Sequence, residues 1–334
     1  MKAILIERFG EPREALQVRD IPTPQPAAGE VRVRMKMVPI NPSDMMTIRG
    51  MYGRLPTLPA TPGFEGVGVI DAVGSGWLAK LRGLRPGKRV AVLNARGGNW
   101  QEQVVLPARQ VVPVPDDLPD EQVAAFFVNP ATALVLTQHV LHVTRGSWLL
   151  QTAAGSALGR MVIRLGRHLG FRTINIVRRK ELAAELKQVG ADEVLSSTED
   201  NLVARVQDIT RGELVPYALD AVGGPGMRDI IGCLAPRGRL LVYGTLSGEP
   251  VPIDPRSLMV GQRAIEGFWL SEWVKQQGIL RMLGLFRQII KLMRAGVLTT
   301  PVAATFSIDQ LAQALERVDQ PARGGKILLK FSDV

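Results

Sequence analysis

The stretch Ser147–Gly170, SWLLQTAAGSALGRMVIRLGRHLG, decides how this chain folds. SWLLQTAA has the length and apolar character of a buried strand, and SALGRMVIRLGRHLG reads as a helix. The turn between them, Gln151–Gly159, stands where the first βα turn of a dinucleotide-binding unit belongs. A complete G-x-G-x-x-G would put glycines at 154, 156 and 159, and only Gly159 is one. Alanine and serine at the other two positions are small enough for a pyrophosphate to approach the backbone. The helix amino terminus supplies free N–H groups. The motif alone also fits any tight strand–helix turn; its context favours a nucleotide.

The alternation continues on the carboxy-terminal side. FRTINIV, DEVLSS, VPYALDAVG, RLLVYGTL and RAIEGFWL read as strands separated by helix-length stretches such as ELAAELKQVG. Strands alternating with helices in this way imply right-handed βαβ units and a doubly wound parallel sheet. This domain is expected over residues 121–296. Upstream the chain is different: VRVRMKMVPI, GVGVIDAVG and RVAVL are short β-branched segments separated by Gly and Pro, which argues for a β-rich domain. PVPDDLPDEQ separates the two regions. The tail, VAATFSIDQLAQALERV then GGKILLKF, is strand–helix–strand again, so residues 1–120 and 297–334 are expected to form one domain together. The fold class is α/β.

Composition narrows the chemistry. A chain of 334 residues is long enough for two domains. One cysteine, Cys233, and three histidines exclude an intrachain disulfide and the usual thiolate zinc site, so no zinc is expected. His139 and His142 read as surface histidines near a helix end. The amino terminus has no signal-like apolar stretch, and no run approaches the ~20 residues of a membrane helix. A cytoplasmic location without membrane contact is expected. The net charge of +10 is not organised into a zinc finger, basic arm or aromatic–basic repeat, so nucleic acid is not the expected partner. A phosphorylated ligand, or an acidic carrier of one, fits the basic excess as well.

The strand after the glycine turn selects among nucleotides. About 20 residues beyond that turn, an acid suits the ribose 2′-hydroxyl of NAD, and a base suits the 2′-phosphate of NADP. Here Arg178, Arg179 and Lys180 begin 19 residues after Gly159. Two guanidiniums and an ammonium cannot accept a hydroxyl proton but suit a phosphate dianion. Cations at a helix start are unfavourable unless an anion is bound there. The expected cofactor is NADPH (NADP+).

Several phrases carry a family likeness. AVGSGWLAKLRGLRPGKRV followed by the alternating domain resembles the medium-chain dehydrogenase/reductase superfamily, in which a GroES-like catalytic domain is interrupted by a Rossmann domain. Zinc-dependent members carry G-H-E where this chain has Gly63-Phe64-Glu65, and a Cys where it has Asn41-Pro42-Ser43-Asp44. Among zinc-free members, INPSDMMTIRGMYG, FFVNPATA, FRTINIVRR and GFWLSEW are most similar to 2-enoyl thioester reductases of the mitochondrial fatty-acid synthesis type. Quinone oxidoreductases come next. That resemblance implies Tyr52 as the catalytic tyrosine and Asn129 on the nicotinamide side. It implies Gly155, Ser156, Ala157 and Leu158, with Gly159, along the pyrophosphate. Arg178, Arg179 and Lys180 would hold the 2′-phosphate. Tyr243, Gly244, Thr245 and Leu246, with Phe268, Trp269, Leu270 and Ser271, would flank the nicotinamide, and Lys326 would close over the cofactor. A homodimer formed by sheet extension around RLLVYGTL and RAIEGFWL is also implied. Arg179 departs from the family, whose second cofactor loop is acidic at its middle.

Reducing an enoyl thioester requires hydride at the β carbon and a proton at the α carbon, with charge developing on the thioester oxygen. Without a metal, hydrogen-bond donors must stabilise that enolate. A neutral tyrosine is a donor at pH 7 and a credible general acid. In RGMYGRLPTLP (49–59), Gly50 and Gly53 give the loop its freedom, and Arg49 and Arg54 are available to the phenol or to a substrate phosphate. The alternative for Tyr52 is an aromatic packed on Pro56 and Pro59. Trp269 and Trp273 fit an acyl channel or ordinary core equally. The substrate is expected to be a small molecule or an acyl thioester of coenzyme A or acyl carrier protein. A quinone reductase keeps the cofactor site and makes Tyr52 incidental; a non-catalytic NADPH-binding regulator or RNA-binding protein keeps only the cofactor.

Overall fold

The computed structural model describes residues 1–320 and 324–331, with every side chain among them except that of Leu78. The chain divides into two compact units, one of residues 1–128 and 299–334 and the other of residues 129–298.

The second unit holds a six-stranded sheet in the order Glu193–Ser196, Arg172–Val177, Trp148–Gln151, Val215–Asp220, Leu234–Val242, Ala264–Gly267. Every neighbouring pair is parallel. Numbered along the chain this is 3-2-1-4-5-6, the doubly wound order whose strand direction of travel reverses beside the first strand. Leu150, Ile174, Ile176, Ala218 and Leu240 form the centre of its core. The helix Ala157–Leu169 follows from local sequence: Ser156 caps it by accepting a hydrogen bond from the Gly159 amide at 3.0 Å, and Gly170 ends it with a left-handed φ of 84°. Leu158, Met161, Val162, Ile163 and Leu165 make its buried side. The expected strand RAIEGFWL is shorter than it reads. Only Ala264–Gly267 pairs; the chain then turns, and Trp269 precedes the helix Leu270–Lys275.

The first unit is built on a sheet of Val302–Ser307, Lys326–Lys330, Glu30–Pro39, Glu65–Val73, Arg89–Leu93 and Val111–Pro113 in that order, with Gln103–Pro107 also paired to Glu30–Pro39. A two-stranded ribbon, Lys2–Ile6 with Leu16–Asp20, is paired separately and shares its core. The tail therefore does return: Lys326–Lys330 runs antiparallel to Glu30–Pro39 through the pairs Leu328–Pro39, Leu329–Val38 and Lys330–Met37. Val31, Val33, Met35, Ile70, Val90 and Trp100 anchor the core of this unit. The helix Pro42–Ile48 leaves the end of Glu30–Pro39 and is closed at its start by the Asn41 amide, which donates to Asp44 Oδ2 at 2.7 Å.

Candidate active site

In the first unit, Tyr52 lies a few residues beyond the helix Pro42–Ile48. The loop starts at Gly50, whose φ of 75° is left-handed and reverses the chain direction. The Met51 amide then donates back to Met46 O at 2.8 Å, which ties the loop to the helix. Tyr52 is half-buried, and its ring meets that of Phe64 at a centroid distance of 5.3 Å, tilted by 43°. The aromatic contact is thus with the middle residue of Gly63-Phe64-Glu65, a partner that local sequence did not suggest. Arg49 is engaged elsewhere: its guanidinium donates twice to Glu11, at 3.3 Å each.

The same unit buries a set of polar groups. Asn41 Nδ2 donates to Glu65 Oε1 at 3.0 Å, and Glu65 Oε2 accepts the amides of Phe127 and Val128 at 2.9 and 2.8 Å. Lys326 is also buried, with its ammonium hydrogen-bonded to Asn41 Oδ1. Burial pushes the Asp44 carboxyl up to about 7, against the pull of the Asn41 amide and the Lys326 charge. Burial raises Glu65 as well, opposed first by Lys326. Sequence reading noted NPSD as part of a family-like phrase and, with Glu65, as a place where zinc ligands are missing, and gave neither this buried role.

In the second unit, the turn Gln151–Gly159 opens the helix Ala157–Leu169 as expected. A Cβ on Gly159 would come within 2.6 Å of the Ala154 Cα and carbonyl oxygen, so helix and turn meet too closely for any side chain. Gln151 Nε2 donates to Gly159 O at 2.9 Å and to Asn175 Oδ1 at 2.7 Å, fixing the turn from beneath. Gly155, Ser156, Ala157 and Leu158 complete the turn and first helical residues. Arg178 and Lys180 are exposed and Arg179 half-buried, in the turn that follows strand Arg172–Val177. Lys180 pairs with Glu199 at 3.1 Å on the surface.

Tyr243, Gly244, Thr245 and Leu246 follow the strand Leu234–Val242. The Tyr243 amide donates to Asp220 O at 2.9 Å and the Leu246 amide to Ala221 O at 3.1 Å. Among the described residues the buried Tyr243 hydroxyl has no hydrogen-bond partner, and burial, then the Asp220 charge, moves it well above the usual phenol range. Asp220 itself accepts from Thr152 Oγ1 at 2.6 Å and from the Gly223 amide at 2.7 Å. Phe268 donates its amide to Val242 O at 2.8 Å, and Trp269, Leu270 and Ser271 continue into the next helix. Asn129 lies in the helix Val128–Leu134. Thr152 and Asp220 bring the ends of two neighbouring strands together beside the glycine turn, and sequence reading missed both. His139 is not the surface histidine expected. It is half-buried, 5.8 Å from the Trp273 ring, and burial lowers its pKa.

The glycine turn, its capped helix and the basic turn after the second strand have the donor set and close backbone that a dinucleotide phosphate needs. Zinc is a different matter. Among the described residues no three His, Cys, Asp or Glu side chains gather where they could hold a metal ion. The Glu65 carboxylate is already bonded to Asn41 and two backbone amides, with an ammonium in its field.

Comparison with known proteins accounts for both units. Residues 27–116 match the model of the alcohol dehydrogenase GroES-like domain, and residues 157–286 that of zinc-binding dehydrogenase. The mitochondrial enoyl-[acyl-carrier-protein] reductase of Rattus norvegicus is 34% identical over 327 residues, covering 96% of this chain and 86% of that protein. A provisionally assigned NADPH:quinone reductase from Bacillus thuringiensis superposes with a TM-score of 0.92 at 33% identity, with 98% of each chain covered. A mycobacterial protein solved in complex with NADPH superposes at 0.89 with 29% identity, covering 99% of this chain and 100% of that one. With its GroES-like unit and its doubly wound unit in this arrangement along the sequence, the chain belongs to the medium-chain dehydrogenase/reductase superfamily of oxidoreductases.

Proposed function

We propose that the chain is an NADPH-dependent reductase of the carbon–carbon double bond of 2-enoyl thioesters, with coenzyme A or an acyl carrier protein as the acyl bearer. Tyr52 is the observation that carries this reading. Of the three tyrosines, at 52, 217 and 243, it alone belongs to the first unit, and it is half-buried against Phe64. Similarity along nearly the whole chain to enoyl-[acyl-carrier-protein] reductases supports the acceptor.

Bound NADPH supplies the hydride for the β carbon. Arg178, Arg179 and Lys180 hold the 2′-phosphate, and Gly155, Ser156, Ala157, Leu158 and Gly159 the pyrophosphate through backbone amides. Asn129, Tyr243–Leu246 and Phe268–Ser271 orient the nicotinamide. Tyr52 donates a hydrogen bond to the thioester oxygen as charge develops there, and its hydroxyl proton passes to the α carbon. A homodimer built on the edge strand Ala264–Gly267 is the proposed assembly, which light scattering reads directly.

The similarity to a quinone reductase structure supports a second reading, NADPH:quinone oxidoreduction, in which no carbon acid is needed. Turnover of crotonyl-CoA and of a simple quinone, in the parent and in Tyr52→Phe, separates the two. Crotonyl-CoA reduction abolished by the substitution supports the enoyl reading. Quinone turnover alone, indifferent to the substitution, overturns it.

A further inference from the structure

Three segments of the first unit each send a polar side chain to one buried place. Asn41 and Asp44 come from the start of the helix Pro42–Ile48, Glu65 opens the strand Glu65–Val73, and Lys326 opens the strand Lys326–Lys330. None is more than 5% exposed. Lys326 donates to Asn41 Oδ1, Asn41 donates to Glu65 Oε1, and Glu65 accepts from the Phe127 and Val128 amides. Removing an ammonium and two carboxyl groups from water is costly, and such clusters add little stability compared with apolar packing of equal volume. What they do supply is a fixed geometry.

This chain of bonds starts at Lys326 and meets, at two points, backbone that the proposed reaction uses. At Asn41 it meets the helix that leads through Arg49, Gly50 and Met51 into Tyr52, with Met51 bonded back to Met46. Beyond Glu65 it meets Phe127 and Val128, the two residues before Asn129. We propose that Lys326 is a positioning residue: through Asn41 and Glu65 its buried ammonium sets the placement of the Tyr52 loop and of the backbone that precedes Asn129. This rests on the roles given above to Tyr52 and Asn129. It differs from the role that family likeness implies for Lys326, contact with the cofactor from the carboxy-terminal segment.

Lys326→Met, Glu65→Gln and the double variant, made in the full chain, distinguish these roles. The measurements are kcat on crotonyl-CoA, KM for NADPH, and hydrogen exchange at the Phe127 and Val128 amides. Lys326→Met is expected to lower kcat about 100-fold, the scale of a misplaced reacting group, with KM for NADPH changed by less than about twofold. Exchange at the two amides is expected to quicken by about tenfold or more as the carboxylate that holds them loses its countercharge. The double variant is expected to recover part of both losses, because it removes the opposed Lys326 and Glu65 charges together. A large rise in KM for NADPH with kcat retained would put the ammonium on the cofactor and overturn the proposal. Unchanged exchange, or strictly additive losses, would overturn it as well. Should Lys326→Met not fold, the charge-neutral double variant provides the same exchange comparison. Exchange requires no acceptor, so a parent inactive on crotonyl-CoA defeats the enoyl reading while leaving this test in force.

Discussion

Tyr52 differs from phenylalanine by one hydroxyl, and its ring contact with Phe64 survives that change. Tyr52→Phe is therefore expected to fold as the parent does, bind NADPH equally, and lose about 10²- to 10⁴-fold in kcat on crotonyl-CoA, the range of general acid catalysis. Single-turnover kinetics with saturating NADPH check it. The basic turn gives a second residue-scale outcome. Arg178→Ala with Arg179→Ala is expected to raise KM for NADPH by more than about 100-fold, since each of the two charge-assisted bonds is worth about 1.5–3 kcal/mol. KM for NADH should stay nearly constant, so the ratio of the two constants is the measurement. Position along the chain was enough to expect this turn, because an acid or a base there follows from where the second strand ends. Phe64, Thr152 and Asp220 were not legible. Each acts through a partner far away in sequence, and periodicity reports only neighbours within a few residues.

At the scale of elements, the start of the helix Pro42–Ile48 carries a pH dependence. Asp44 is raised to about 7, mainly by burial, so between the ordinary carboxyl range and pH 7 the folded chain binds a proton that the unfolded chain has lost. Its contribution is fully present at low pH and is lost as pH rises through about 7, by up to ~4 kcal/mol for a shift of this size. Asp44→Asn is expected to flatten the thermal stability profile between pH 4 and 7 and to raise the melting temperature at pH 8. Thermal melts of parent and variant across that range would show it; a parallel pair of curves would contradict it. In the other unit, Thr152→Val removes the donor to a buried Asp220 and is expected to cost about 1–3 kcal/mol, read by denaturant titration. The helices and strands themselves were largely readable, because the alternation from strand to helix is a local signal. RAIEGFWL misled because its apolar residues continue past the point where the backbone leaves the sheet, at Gly267. The buried cluster around Asn41 was invisible for the opposite reason: polar residues near glycine and proline look like loop.

For the molecule as a whole, two units with separate cores make a single unfolding free energy ill-defined, and ligands should act on them unequally. NADPH at about 100 times its dissociation constant is expected to add about 2.7 kcal/mol to the unit that binds it. Calorimetry should show the transition of the doubly wound unit moving up with NADPH and moving less with the same concentration of NADH. The change in pattern near PVPDDLPDEQ suggested a boundary at 120/121, whereas the compact units divide after Val128, inside a helical stretch where composition gives no signal.

That returning tail bears on how the protein is made. Strand Glu30–Pro39 leaves the ribosome about 290 residues before the partner of its Met37–Pro39 edge, Leu328–Lys330. At about 5–20 residues per second this edge waits for roughly a quarter of a minute or more, long enough for the intervening doubly wound unit to collapse on its own. Throughout that interval the nascent chain presents an open row of amides and carbonyls beside apolar Met37 and Val38, the kind of surface that pairs with other unfinished chains. Yield in a cell should accordingly depend on chaperone supply more steeply than the stability of the finished protein suggests.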